Sequence, residues 1–127
     1  MVHFLLICLG GALGTGVRYL LSGWVLQTLG PAFPYGTLAV NTIGSFLLAA
    51  IMYAGVEASV IPPALRLMLA TGVMGGFTTY STFSYETMKY LQDGAWAVAA
   101  ANILVTVIGC LAACMTGWVV ARWLVGP

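Results

Sequence analysis

The sequence predicts an all-α integral membrane protein of four transmembrane helices. Three observations carry that expectation. The 127-residue chain is 61% hydrophobic and only 6% charged, against roughly a quarter charged in soluble domains. Its apolar residues fall into four windows long enough to cross a bilayer, which takes about 20 residues. The windows are continuous, whereas barrel strands alternate apolar and polar residues over about ten positions. Only helices and closed barrels satisfy the backbone in lipid, so helices are the remaining choice.

The first window runs from about residue 2 to 26. It stops at QTLGPAFP, where Gly30, Pro31 and Pro34 end a helix. Its opening, MVHFLLICLGGALG, has no Lys or Arg before the apolar run and no small-residue cleavage site, so it reads as a retained helix. The second window covers about 35–56 and ends before EASVIPP. The third covers about 63–91, with Pro62 and Pro63 suited to its opening turn and Gln92-Asp93-Gly94 closing it. The fourth covers about 95–125. No composition shift divides residues 1–127 into further domains.

The positive charges are Arg18, Arg66, Lys89 and Arg122. Arg66 and Arg122 lie toward one membrane face, Lys89 and Arg18 toward the other. Lys/Arg bias normally sets orientation, and here it nearly cancels. Insertion in both directions stays open, and two opposed copies could pair about a two-fold axis in the membrane plane. The alternative is one orientation set by a weak bias. Gly10 and Gly14, Ala12 and Gly16, and Gly72 and Gly76 stand four apart, a spacing that lets helix backbones approach closely.

Polar residues at membrane depth are the candidate functional groups. GGFTTYSTFSYE, residues 75–86, crowds hydroxyls into an apolar span. Gly75-Gly76 and Thr78-Thr79 are poor helix formers. A break there would free carbonyls, which can coordinate cations such as Na⁺. An unbroken helix with hydroxyls bonded one turn back fits the composition equally well. Asn41 lies four residues after Thr37 on one helix face, with Thr42 and Ser45 nearby. It can serve an anion or bond to another helix. Asn102, Thr106, Cys110 and Cys114 make a stripe that either lines a path or forms a packing seam. Arg18 reads as near one end of its helix, and Glu86 can pair with Lys89 or serve a function.

Other chemistry finds little support. The only His is His3, at the N-terminus, so no nucleophile–base arrangement is visible and an enzyme is not expected. Three cysteines without CxxC spacing argue against a zinc or disulfide framework. Near-neutral charge without basic runs argues against nucleic acid. Hydroxyls, an amide and aromatic ring edges suit a small dehydrated anion. They bind it weakly enough to let it leave.

GGALGTGVRY in the first window, YGTLAVNTIGSFLL in the second and GGFTTYSTFSYE in the third resemble the Fluc (CrcB) family of fluoride channels over the whole length. The resemblance implies a broken third helix, near residues 75–79, and an antiparallel, dual-topology homodimer in the plasma membrane, the inner membrane of a bacterium. It implies a central structural Na⁺ held by the backbone carbonyls of Gly75 and Thr78 from both subunits. Two fluoride pathways would flank it, lined by Thr37, Asn41, Tyr80, Ser81, Thr82, Phe83, Asn102 and Thr106. Arg18 and Glu86 would stand near the aqueous entrances. The family usually has Phe where this chain has Tyr80, and Cys110 and Cys114 make the fourth-helix track less hydroxyl-rich. The implied mechanism is passive export of fluoride that enters acidified cells as HF.

The rival reading is a small multidrug transporter with proton coupling. Such a transporter depends on a membrane-embedded Glu in its first helix, and this first window has no Asp or Glu.

Overall fold

The apolar windows become helices close to their expected limits. The computed structural model describes residues Met1–Pro127 and contains helices and turns only. Helix α1 (Val2–Leu29) ends at Gly30, whose φ of 80° lies where glycine is favoured. Helix α2 (Tyr35–Met52) follows Pro34 and continues as a π-helical stretch, Tyr53–Glu57. Helix α3 (Pro63–Leu67) has its proline in the first turn, where the missing N–H costs nothing. A second π-helical stretch, Met68–Met74, leads into a single turn, α4 (Gly75–Phe77). Thr78 and Thr79 are then extended, with ψ of 157° and 111°. Helix α5 (Tyr80–Gln92) resumes the segment. After a turn through Gly94, α6 (Trp96–Val125) completes the chain.

Three of these stretches are long and apolar enough to cross a membrane unaided: Val2–Leu29, Tyr35–Glu57 and Trp96–Val125. The fourth segment, from α3 to α5, is the interrupted one. Only 21 of 127 residues are buried, and the exposed ones include Leu9, Leu13, Leu104, Ile108 and Leu111. An outside of this kind is a lipid-facing outside, and the chain is a multi-pass membrane protein.

Glycines set the tightest crossing. Gly10 of α1 lies so close to the π-helical stretch that a methyl group there would stand 2.6 Å from the Met68 carbonyl. Gly72 meets Ile7 in the same way at 2.8 Å. A side chain at Gly14 would overlap the Val73 carbonyl, and one at Gly76 would overlap that of Gly11. Ala12 and Gly16 share the same spacing but face outward. Between these helices and α2, Val40, Met74 and Phe77 form the small apolar core. On the other side α2 packs on α6, with Gly117 against the Phe46 carbonyl.

One end of the bundle is tied by side chains. The Tyr53 hydroxyl donates to the Gly126 carbonyl at 2.8 Å, and its ring stacks edge-on with Trp118. Arg122 lies over Trp118 at 5.5 Å, close enough for cation–π attraction. Arg66 donates to the Gly55 carbonyl at 3.1 Å. Arg66 and Arg122 thus share one end.

Candidate functional site

The extended residues Thr78 and Thr79 leave α4 and α5 with unpaired ends, and the neighbouring helices supply partners. Asn41 of α2 grips Thr79 twice. Its Oδ1 accepts from the Thr79 amide at 2.7 Å, and its Nδ2 donates to the Thr79 carbonyl at 3.0 Å. One N–H of Asn41 remains free. The Thr79 hydroxyl then caps α5 by accepting from the Thr82 amide at 3.2 Å. Arg18 of α1 reaches across and donates from Nε to the Gly76 carbonyl at 2.9 Å. The Met74 carbonyl takes both the amide and the hydroxyl of Thr78.

Two carbonyls are left out of this scheme. Those of Gly75 and Thr78 receive no side-chain donor. The Thr78 and Thr79 amides, next in line for Gly75, turn to Met74 and Asn41. Uncharged backbone oxygens of this kind suit Na⁺, a hard cation. No cluster of His, Cys, Asp or Glu stands ready for a transition metal.

Two clefts meet at the break. One, of about 390 Å³, lies between α2, α5 and α6 and is lined by Asn41, Ser45, Thr78, Tyr80, Phe83 and Thr106, among others. The other, of about 650 Å³, lies between α1, α2 and α5 and includes Thr15, Arg18, Gln27, Thr37 and Thr82. Thr79 is the one residue that lines both.

The expected site residues divide between these surroundings. Phe83 is buried, and its ring centroid lies 5.8 Å from that of Tyr80, at 58°. Tyr80 is 80% exposed, and Ser81, Ser84 and Tyr85 are exposed beside it. Thr37 donates to Glu86 at 2.5 Å. Lys89 pairs with Asp93 at 3.4 Å, so the Glu86–Lys89 pair is not formed. Helix α1 runs on to Leu29, so Arg18 lies about 16 Å before its end and not near it.

Asn102 sits away from both clefts. At 2% exposure it donates to the Thr87 hydroxyl at 2.9 Å and accepts from Thr106 at 3.3 Å. Thr87 in turn donates to the Phe83 carbonyl at 2.8 Å. This buried string joins α5 to α6 directly beneath Phe83. Sequence reasoning passed over Thr87, although its place four residues after Phe83 puts it on the same face. Cys110 faces Thr42, with Sγ 3.9 Å from the hydroxyl, while Cys114 is exposed. The stripe on α6 therefore ends at Cys110.

Comparison with known proteins bears on this geometry. A family described as "CrcB-like protein, Camphor Resistance (CrcB)" matches residues 5–118. A protein of Anaeromyxobacter dehalogenans is 58% identical over 126 residues, covering 99% of this chain and all of its own. One from Sorangium cellulosum is 53% identical, covering 98% of each chain. One from Citrifermentans bemidjiense is 51% identical, covering 98% of this chain and all of its own. Each of the three is named fluoride-specific ion channel FluC. On both grounds the chain belongs to the CrcB-like family.

Proposed function

We propose that the chain forms a fluoride-selective channel that exports fluoride passively from the cytoplasm. The observation that carries the reading is the junction at Thr79, where two largely apolar clefts that carry hydroxyl and amide groups meet on either side of a helix break. The names of the relatives supply the ion. Fluoride would pass among the free N–H of Asn41, the hydroxyls of Ser81, Thr82 and Thr106, and the ring edges of Phe83 and Tyr80. All are neutral donors, strong enough to replace water and weak enough to release the anion. Thr37, Glu86 and Arg18 stand on the larger cleft's side and act on the anion's approach.

The working unit is an antiparallel homodimer of dual topology. The exposed row of Tyr80, Ser81, Ser84 and Tyr85 supports this reading. Hydroxyls are costly against lipid at that depth, and a second copy would cover them. The near-cancelling charge bias permits opposed insertion. At the two-fold axis the Gly75 and Thr78 carbonyls of both copies would hold a structural Na⁺. The ion would offset the partial negative charge of the freed carbonyls. Asn102 holds Thr87 under Phe83 and Thr106 at the edge of the smaller cleft, the inner end of the proposed track.

Purified protein in liposomes should release fluoride, and not chloride, when potassium is shunted by an ionophore. A fluoride electrode reads the result. Proton-coupled uptake of a lipophilic cation without fluoride release would overturn the proposal.

A further inference from the structure

We infer that Arg18 is a positioning residue for the helix break, acting through its Nε bond to the Gly76 carbonyl. The inference rests on the sodium site proposed above. Gly75 and Gly76 are adjacent permissive backbone positions, and only Phe77 separates them from two extended residues. Nothing intrinsic to glycine holds the carbonyls there in one direction. The Gly75 and Gly76 carbonyls belong to the two peptide planes that hinge at the Gly76 Cα. Tying the second oxygen to Arg18 at 2.9 Å limits rotation at that hinge, and so limits where the Gly75 oxygen points.

Arg18 is well placed for this work. Gly14, one turn before it, is in backbone contact with Val73, so α1 cannot slide along the third segment. Gly76 lies against Gly11 and Thr15 of the same helix. The arginine stem therefore starts from a seated backbone. Its Nε is spent on the carbonyl, and the same side chain lines the larger cleft. One side chain carries two separable properties, a donor at Nε and a positive charge beyond it.

Three variants separate them. The Nε2 of glutamine stands the same number of bonds from the backbone as the Nε of arginine, so Arg18→Gln keeps the donor and loses the charge. Arg18→Lys keeps a charge and puts a methylene where Nε was. Arg18→Met loses both. Thermal unfolding and dimer content of the purified full chain are titrated with NaCl against N-methylglucamine chloride at constant ionic strength. Wild type should be stabilised by Na⁺, and if it is not, the sodium reading itself fails. Losing one hydrogen bond of ordinary strength should raise the Na⁺ needed for half-stabilisation about fivefold in Arg18→Lys and Arg18→Met. Arg18→Gln should stay within about twofold of wild type on the same scale. The inference is overturned if Lys and Met match a sodium-dependent wild type, or if Gln shifts as far as they do. Should either Lys or Met fail to purify, the other carries the comparison with Gln.

Discussion

Asn41 holds Thr79 by both faces of one amide, its oxygen on the Thr79 N–H and its nitrogen on the Thr79 carbonyl. It treats a residue 38 positions away as a neighbouring strand would. The break in the third segment is thus maintained from outside that segment.

Asn41→Asp should disable the channel. The carboxylate still accepts from the Thr79 amide, but its second oxygen faces the Thr79 carbonyl with no proton to offer. Leaving that carbonyl unpaired costs about 1–3 kcal/mol. We expect fluoride efflux from liposomes to fall by at least about fivefold, as the lower end of that loss implies, with the dimer still eluting intact. Normal efflux would remove Asn41 from the site.

The string beneath Phe83 gives a stability test. Asn102→Ala leaves the buried Thr87 and Thr106 hydroxyls without their shared partner. The expected cost is about 1–3 kcal/mol, seen as a lowered unfolding temperature. Thr87→Ser keeps the hydroxyl and should cost much less. Equal losses in both would mean that the methyl of Thr87, and not its hydrogen bonds, holds α5 to α6.

Phe83 and Tyr80 should separate by role. Phe83→Ile removes the ring edge from the cleft and should suppress efflux. Tyr80→Phe keeps an edge and loses only a hydroxyl that faces outward in the single chain, so fluoride selectivity over chloride should survive. A channel that passes chloride after Tyr80→Phe would show that the hydroxyl sets the selectivity.

The glycine crossing makes a paired prediction for folding. Gly14→Ala forces a methyl into the Val73 carbonyl and should cost about 1–3 kcal/mol, as overpacking does. Gly109 has open space around it, and Gly109→Ala should be neutral or gain up to about 1 kcal/mol from helix propensity. Thermal unfolding of both variants in detergent reads the difference.

The sequence made these elements legible in unequal degree. The four apolar windows and their Pro and Gly stops give the span limits to within three residues at the end of α1. Spacing found Gly10, Gly14, Gly72 and Gly76. It could not tell them from Ala12 and Gly16, because spacing names a face and not the partner that face will meet. The break stood undecided on composition, since Gly and Thr weaken a helix without forbidding it. Asn41 decides it from another helix. For the same reason spacing left the α6 stripe open between a path and a packing seam: Thr106 and Cys110 line the smaller cleft, while Asn102 turns to Thr87. Arg18 follows the small-residue run GGALGTGV, which says nothing of where the helix stops, and α1 continues eleven residues past it to Leu29.

The bond between Tyr53 and the Gly126 carbonyl has a practical side. It anchors the chain's last residues to the end of α2, so a reporter joined after Pro127 hangs from a fixed point one residue beyond that anchor. A bulky fusion placed there without a spacer will pull on Tyr53 and on the Trp118 ring it meets. The N-terminus has no such tether, since Met1 to Leu5 are exposed and make no side-chain bonds. Orientation assays on this protein should carry their reporters on Met1, or follow Pro127 with a flexible spacer.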